Sequence, residues 1–201
     1  FHVSRDVLIP RPETEQLVRL IVNDFSSCPS PRILDIGTGS GCIAISLASL
    51  LPASCVTALD ISSSALRVAA DNATLNHVSV SWTCVDILSS EAESCLEQYD
   101  CIVSNPPYIM EHEQLEMDAS VLDYEPHKAL FVPDTDPLLF YRRIVQLAKS
   151  HLMADGWLYF EINEQCGDAM LELLNSAGFS QTTIIKDYFG KDRMLKAQLV
   201  L

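Results

Sequence analysis

Hydrophobic positions along the chain fall into short blocks of two alternating kinds. Glu13 to Phe25 places Leu17, Val18, Leu20, Ile21 and Phe25 at helical spacing, which predicts an amphipathic helix. The run Ser-Ser-Cys-Pro-Ser-Pro follows, and Pro29 and Pro31 mark a linker because proline restricts both itself and its predecessor. Strand and helix patterns then alternate. Arg32 to Ile36 reads as a strand, and Gly41 to Leu51 as a helix stopped by Pro52. Ser54 to Leu59 reads as a strand, and Ser63 to Leu75 as a helix with Ser63 as its N-cap. Val78 to Val85 is a further strand, and Tyr99 to Ser104 another that runs into Pro106 and Pro107. Leu138 to Met153 is a long amphipathic helix, Trp157 to Ile162 a strand, and Gln165 to Ala177 a helix ended by Gly178. Finally, Ser180 to Lys186 and Met194 to Leu201 flank Phe189-Gly190-Lys191-Asp192 and predict an antiparallel hairpin.

Repeated βα units predict an α/β fold with a parallel sheet, helices on both faces, and a ligand at the carboxyl ends of the strands. Five βα strands and a terminal hairpin make seven strands, one of them antiparallel. That Rossmann-like arrangement resembles class I methyltransferases, a likeness of fold that does not by itself carry chemistry. The length of 201 residues fits one domain. Residues 31–201 are expected to form it, with residues 1–30 an N-terminal segment and linker.

Charge narrows the function. Thirteen Lys and Arg stand against 27 Asp and Glu, a net charge of -14. Phosphate contacts dominate nucleic-acid affinity, so stable DNA binding is not expected. The imbalance is local as well: between Arg67 and Lys128 there is no Lys or Arg but twelve Asp or Glu. Six of these acids (Glu111, Glu113, Glu116, Asp118, Asp123, Glu125) crowd one loop. No apolar run reaches the roughly 18 residues of a membrane span. Seven scattered cysteines without a C-x-x-C pair read as reduced thiols, so the expected location is cytoplasmic. The histidines show no ligand spacing, and no metal is expected.

Two segments carry the chemistry. Ile33-Leu34-Asp35-Ile36-Gly37-Thr38-Gly39-Ser40-Gly41 is a strand ending in a G-x-G-x-G turn that opens a helix. Glycine allows positive φ there and lets a ligand approach the backbone. Asp60 ends the next strand, where a carboxylate can accept both hydroxyls of a ribose. The loop has no Lys or Arg for a phosphate and no Gly-Lys-Ser. The ligand it suits is an adenosine without pyrophosphate, and the cation S-adenosylmethionine (leaving as S-adenosyl-L-homocysteine) tolerates so acidic a site. Asp86 follows the third strand; it either accepts from an adenine amine, with Ile87 on a ring face, or is a turn acid.

The second segment is Asn105-Pro106-Pro107-Tyr108. Two prolines at a strand end stop the ladder and leave carbonyls free to face a cleft. The Asn105 side-chain oxygen and the Pro106 carbonyl can each accept one N–H of a planar NH2 group, while Tyr108 offers a flat face. These acceptors would stabilise charge that grows on nitrogen only in the transition state. The reading is amide or amine methylation, with Asn105, Pro106 and Tyr108 as catalytic candidates.

Four strings in this order resemble the release factor glutamine methyltransferase family over nearly the whole chain. They are Ile9-Pro10-Arg11-Pro12-Glu13-Thr14-Glu15, Asp35 to Gly41, Asn105-Pro106-Pro107-Tyr108-Ile109, and Tyr124-Glu125-Pro126-His127-Lys128-Ala129-Leu130. Asn-Pro-Pro-Tyr also occurs in adenine DNA methyltransferases, so that enzyme class stays open as the alternative, with a non-catalytic S-adenosylmethionine-binding module as a third. The resemblance implies methyl transfer to the glutamine of a Gly-Gly-Gln loop in a peptide chain release factor, tuning translation termination. By position it implies a cofactor site of Gly37, Thr38, Gly39, Ser40, Gly41, Asp60, Asp86, Ile87 and Asn105. It also implies substrate contacts from Asn105, Pro106, Pro107 and Tyr108, with Arg11 and Glu125 beside them and Arg11 to Thr14 closing over cofactor or target loop. Family members carry an N-terminal helical domain, after which this chain, lacking an initiator Met, is expected to begin.

Residue-level alternatives remain at this stage. Arg11 either pairs with nearby acids or meets substrate. Glu125 is a turn acid or shapes the substrate loop, and Asp35 orders the loop or touches ligand. Tyr141, Arg142 and Arg143 read as helix surface, and Trp82 and Trp157 as core.

Overall fold

A computed structural model describes residues 1–117 and 119–200 of the chain. Seven strands form one sheet: β1 (Arg32–Ile36), β2 (Cys55–Asp60), β3 (Ser81–Cys84), β4 (Tyr99–Ser104), β7 (Leu152–Glu161), β8 (Phe179–Lys186) and β9 (Asp192–Leu199). Their order is β3-β2-β1-β4-β7-β9-β8, parallel from β3 to β7, with β9 antiparallel to both of its neighbours. The parallel strands β1 and β4 are buried on both faces, which is why their sequences are nearly unbroken apolar runs. Two further strands, β5 (Ile109–Met110) and β6 (Phe131–Val132), pair in parallel outside the main sheet. They close the excursion that follows Asn-Pro-Pro-Tyr.

The helices α1 (Pro12–Phe25) and α2 (Cys42–Leu50) cover one face of the sheet. Helix α1 begins with proline at its first position and carries Glu13 and Glu15 in its first turn, both favoured at a helix N-terminus. Its buried stripe Leu17, Val18, Ile21 and Phe25 packs on Ile33, Ala44, Leu47 and Tyr159, so residues before the linker share a core with the sheet. Helices α6 (Leu139–His151) and α7 (Gly167–Ala177) cover the other face through Ile144, Val145, Met170 and Leu174. Helix α3 (Ser63–Leu75) lies against β2 and β3, and two short helices, α4 (Glu91–Ser94) and α5 (Ala119–Tyr124), sit in connections. No described helix is long and apolar enough to cross a membrane.

Several local expectations are corrected. The cap of α3 is Ser62, whose hydroxyl accepts from the Ala65 N–H, rather than Ser63. Strand β3 is shorter than the apolar run Val78 to Val85, and β7 begins five residues before Trp157. Tyr141 is fully buried, donating its hydroxyl to the Glu161 carbonyl at 3.0 Å, so that part of α6 faces the core. Arg143 is not free surface either: it donates to the carbonyls of Ile87 and Ser89 and pairs with Glu93. Trp82 and Trp157 are half-buried at the edge of a core, not within it. Within the acidic loop, Asp118 lies outside the described residues, as do the side chains of Glu116 and Asp123; Leu201, at the end of the expected hairpin, does too.

Candidate active site

The order of strands reverses between β1 and β4, and such a switch point leaves a crevice at the carboxyl ends of the two strands. Here the Ser104 hydroxyl donates to the Ile36 carbonyl at 2.7 Å and ties those ends together. Above them lies a cleft of about 560 Å³, a size suited to a small-molecule site. Gly37, Thr38, Gly39, Ser40, Asp60, Asp86, Ile87, Asn105, Pro106 and Pro107 all line it. Two segments far apart in sequence therefore open into one space.

The loop after β1 is held from below. The Gly37 and Thr38 N–H groups both donate to the Leu59 carbonyl at 2.9 Å. The Thr38 hydroxyl donates to Asp35 at 2.6 Å, and the Ala44 N–H reaches the same carboxylate oxygen at 3.2 Å. Burial pushes the Asp35 carboxyl up to about 7, against the lowering effect of those two donors. Asp35 is fully buried and orders the loop from behind. Gly37 and Gly39 have φ of +74° and +55°, and a Cβ on either would project into open space. Gly41 differs: at φ +81° its Cβ would lie 2.8 Å from Ile45 Cδ1 and 3.0 Å from Ala69 Cβ. The structure thus sets Gly41 against α3, away from the cleft lining, while Gly37 and Gly39 present bare backbone to it.

Asp60 accepts from the Gly39 N–H at 2.9 Å and from the Ser62 N–H at 2.8 Å, one bond per oxygen. A carboxylate has about four acceptor positions, so two remain for a diol. Asp86 uses one oxygen on the Leu88 N–H at 2.9 Å, and Ile87 lines the cleft beside it. Both acids are half-buried. Among the described lining residues, Asp6, Asp60 and Asp86 outnumber the guanidinium of Arg5. Bare backbone at two glycines, a half-used carboxylate and this excess of described acids fit a cationic adenosyl ligand.

At the acceptor end, the Asn105 amide donates to Thr14 Oγ1 at 3.3 Å. Thr14, in the first turn of α1, donates in turn to Glu161 Oε2 at 2.7 Å, and the Tyr108 hydroxyl donates to Glu161 Oε1 at 3.0 Å. Burial pushes the Glu161 carboxyl up, while the Thr14 and Tyr108 donors and the Arg193 charge pull it down. Burial also raises the Tyr108 hydroxyl, and the nearby Glu161 raises it further. Tyr108 is not among the lining residues: its ring packs on core side chains behind the corner. Arg11 and Glu125 also stand outside the lining. They pair with each other at 2.6 Å, Glu125 being buried, and so fasten the start of α1 to the segment that begins at Pro126.

Several contributors have no motif to announce them. Glu161 reads in sequence as the polar end of an apolar strand. The N-terminal strap Arg5 to Leu8 lines the cleft, anchored where the His2 N–H donates to Asn72 at 2.7 Å. Asn72 is fully buried and also donates to the Ser40 carbonyl. Phe131, Phe140 and Ile144 supply apolar wall.

This geometry agrees with relationships across the whole sequence. A family described as methyltransferase small domain matches residues 13–123. Release factor glutamine methyltransferase from Flavobacterium psychrophilum is 50% identical over 199 residues, 98% of this chain and 69% of that protein. The enzyme of the same name from Bacteroides thetaiotaomicron is 50% identical over 98% of this chain and 70% of its own length. The chain belongs to the release factor glutamine methyltransferase family. Fold likeness reaches well beyond that family. The hMettl16 catalytic domain, solved with an RNA hairpin, superposes with a TM-score of 0.75 over all of this chain and 74% of its own, at 19% identity. TrmN from Thermus thermophilus superposes at 0.64 over 91% of this chain and 48% of its own, at 21% identity. At such identities the likeness speaks for the fold alone. In this release factor glutamine methyltransferase family member, residues 37–40 of the glycine loop and residues 105–107 of the Asn-Pro-Pro-Tyr corner line one cleft.

Proposed function

We propose that this chain transfers the methyl group of S-adenosylmethionine to the side-chain amide nitrogen of a glutamine in a peptide chain release factor. The observation that carries the reading is the convergence of Asn105 and Pro106 with Gly37, Gly39 and Asp60 on one cleft. The relatives' shared name supports the choice of protein substrate. When bound, S-adenosylmethionine supplies an electrophilic methyl carbon.

The chain's own residues do the rest. Gly37 and Gly39 accommodate the ligand's backbone-facing edge, Asp60 accepts ribose hydroxyls, and Asp86 with Ile87 flanks adenine. Asn105 and the Pro106 carbonyl accept the two N–H bonds of the glutamine amide. An amide nitrogen is a poor nucleophile because its lone pair is delocalised. Two fixed acceptors favour the state in which positive charge has grown on it. Holding that nitrogen in line with the methyl carbon supplies a further part of the rate. No residue need remove a proton before transfer, since it can leave afterwards.

An adenine-directed DNA methyltransferase could use the same corner. It is disfavoured by the stretch from residue 68 to 127, which holds the corner and has no Lys or Arg. The deciding experiment is methyl-label transfer with a purified release factor and duplex DNA offered in parallel, followed by peptide mapping. Label on a release factor glutamine is expected; label on adenine would overturn the reading.

A further inference from the structure

Glu161 is a buried carboxylate at the carboxyl end of β7, and the proposed chemistry makes no use of it. Two hydroxyls nevertheless point their protons at it, those of Thr14 and Tyr108. The direction of these bonds matters more than their number. An ionised carboxylate only accepts, so the single Thr14 hydroxyl proton is committed to Glu161. What Thr14 then offers Asn105 is a lone pair. The Asn105 amide must turn its NH2 end to Thr14, and that is the end found there, at 3.3 Å. Its oxygen is left for the cleft.

The two ends of a primary amide have nearly the same shape, so packing alone barely distinguishes them. For the acceptor role the difference is complete. With the oxygen toward the cleft, Asn105 accepts from a substrate NH2; with the nitrogen there, two donors would face each other. We propose that Glu161 and Thr14 are positioning residues that fix the polarity of the Asn105 amide, keeping its oxygen toward the substrate nitrogen. Tyr108 completes the arrangement from the other side, because the same carboxylate holds its hydroxyl. The Arg193 guanidinium stands nearby: it donates to the Ile162 carbonyl at 3.1 Å, faces Asp187 at 3.6 Å, and its charge also acts on Glu161 and Tyr108.

The inference rests on the reading that Asn105 receives an NH2 group, and the test separates the two. The full chain is first assayed with S-adenosylmethionine and a release factor; kcat, KM for the release factor and cofactor affinity are then measured for Thr14→Val, Thr14→Ser and Glu161→Gln. Thr14→Val keeps the shape and removes the hydroxyl, and is expected to lower kcat about 10- to 100-fold, less than the loss of a direct transition-state contact. Cofactor affinity is expected to stay within about twofold, and Thr14→Ser to restore most of kcat. Glu161→Gln can donate to Thr14 and reverse the chain of bonds, so kcat is expected to fall with the fold intact. In an Asn105→Ala background, Thr14→Val is expected to cost nothing further, since coupled residues are not additive. A loss confined to cofactor affinity or KM, or full additivity with Asn105→Ala, overturns the proposal. One readout needs no activity: in wild-type NMR spectra the Asn105 NH2 protons are expected to show a nuclear Overhauser effect to the Thr14 methyl. Its absence overturns the proposal even if a release factor is labelled. Its presence without any labelled glutamine upholds the positioning and overturns the substrate.

Discussion

The two halves of the cleft are built in different ways. The half above β1 and β2 is local: Gly37, Thr38, Gly39 and Asp60 lie within 24 residues, and backbone N–H groups hold them in place. Its acids, Asp60 and Asp86, are half-buried and keep acceptor positions free. The half above β4 and β7 is assembled from afar, with Thr14, Asn105, Tyr108 and Glu161 drawn from three distant segments. There the carboxylate is fully buried, and the bond on each oxygen comes from a side-chain hydroxyl rather than from backbone N–H. A half-exposed carboxylate at the cleft wall is set to bind; a buried one that holds two hydroxyls is set to orient. The same residue type does different work according to how far the fold has buried it and which donors it holds.

Substitutions that should affect one half and spare the other sharpen this contrast. The largest effect is expected from Asn105→Ala: a loss of about 2–4 kcal/mol of transition-state stabilisation with cofactor affinity largely kept. Single-turnover rates and cofactor titration read the two separately, and unchanged turnover would break the assignment of the acceptor half. Asp60→Ala should do the reverse, weakening cofactor binding by about 1.5–3 kcal/mol, the worth of hydrogen bonds to a charged group. Calorimetry measures it, with kcat at saturation as the control. Gly41→Ala probes the frame instead of either ligand. With φ at +81° and a Cβ 2.8 Å from Ile45, it should cost about 1–3 kcal/mol of stability. Denaturant unfolding reads this, and any loss of cofactor affinity should be secondary.

A pH dependence tests the frame in a second way. Burial pushes the folded Asp35 carboxyl up to about 7 from its ordinary value of 3.8. Between those values the folded chain holds a proton that the unfolded chain has released, so raising the pH withdraws stability from the fold. The contribution is complete below about pH 4 and is lost as pH rises through about 7. Asp35→Asn should flatten that part of the profile, seen as a smaller drop in melting temperature between pH 5 and pH 8. An unchanged slope would mean the carboxylate is ionised throughout.

Much of this was legible without coordinates, because the informative groups were contiguous. The glycine turn, Asp60 and the Asn-Pro-Pro-Tyr corner each announce themselves over a few residues, and each lies where the strand pattern put it. The outer elements were harder. The β5–β6 pair is two residues long on each side, too short for periodicity to register. Tyr141 read as surface because it adjoins Arg142 and Arg143, yet it turns inward while Arg143 folds back onto the carbonyls of Ile87 and Ser89.

By itself the sequence determined the chain order of the seven main strands, the place of the cleft and the residue types that line it. Those properties follow from hydrophobic period, from proline and glycine, and from side-chain chemistry, all of which are local. Tertiary structure alone decided which glycines face the cleft and which one faces a helix. It also decided that Arg11 and Glu125 join each other, that Tyr108 stands behind the corner, and that Glu161 meets Thr14 across 147 residues. The physical reason is that a hydrogen bond has direction and a partner, and neither is set until distant segments are packed against each other.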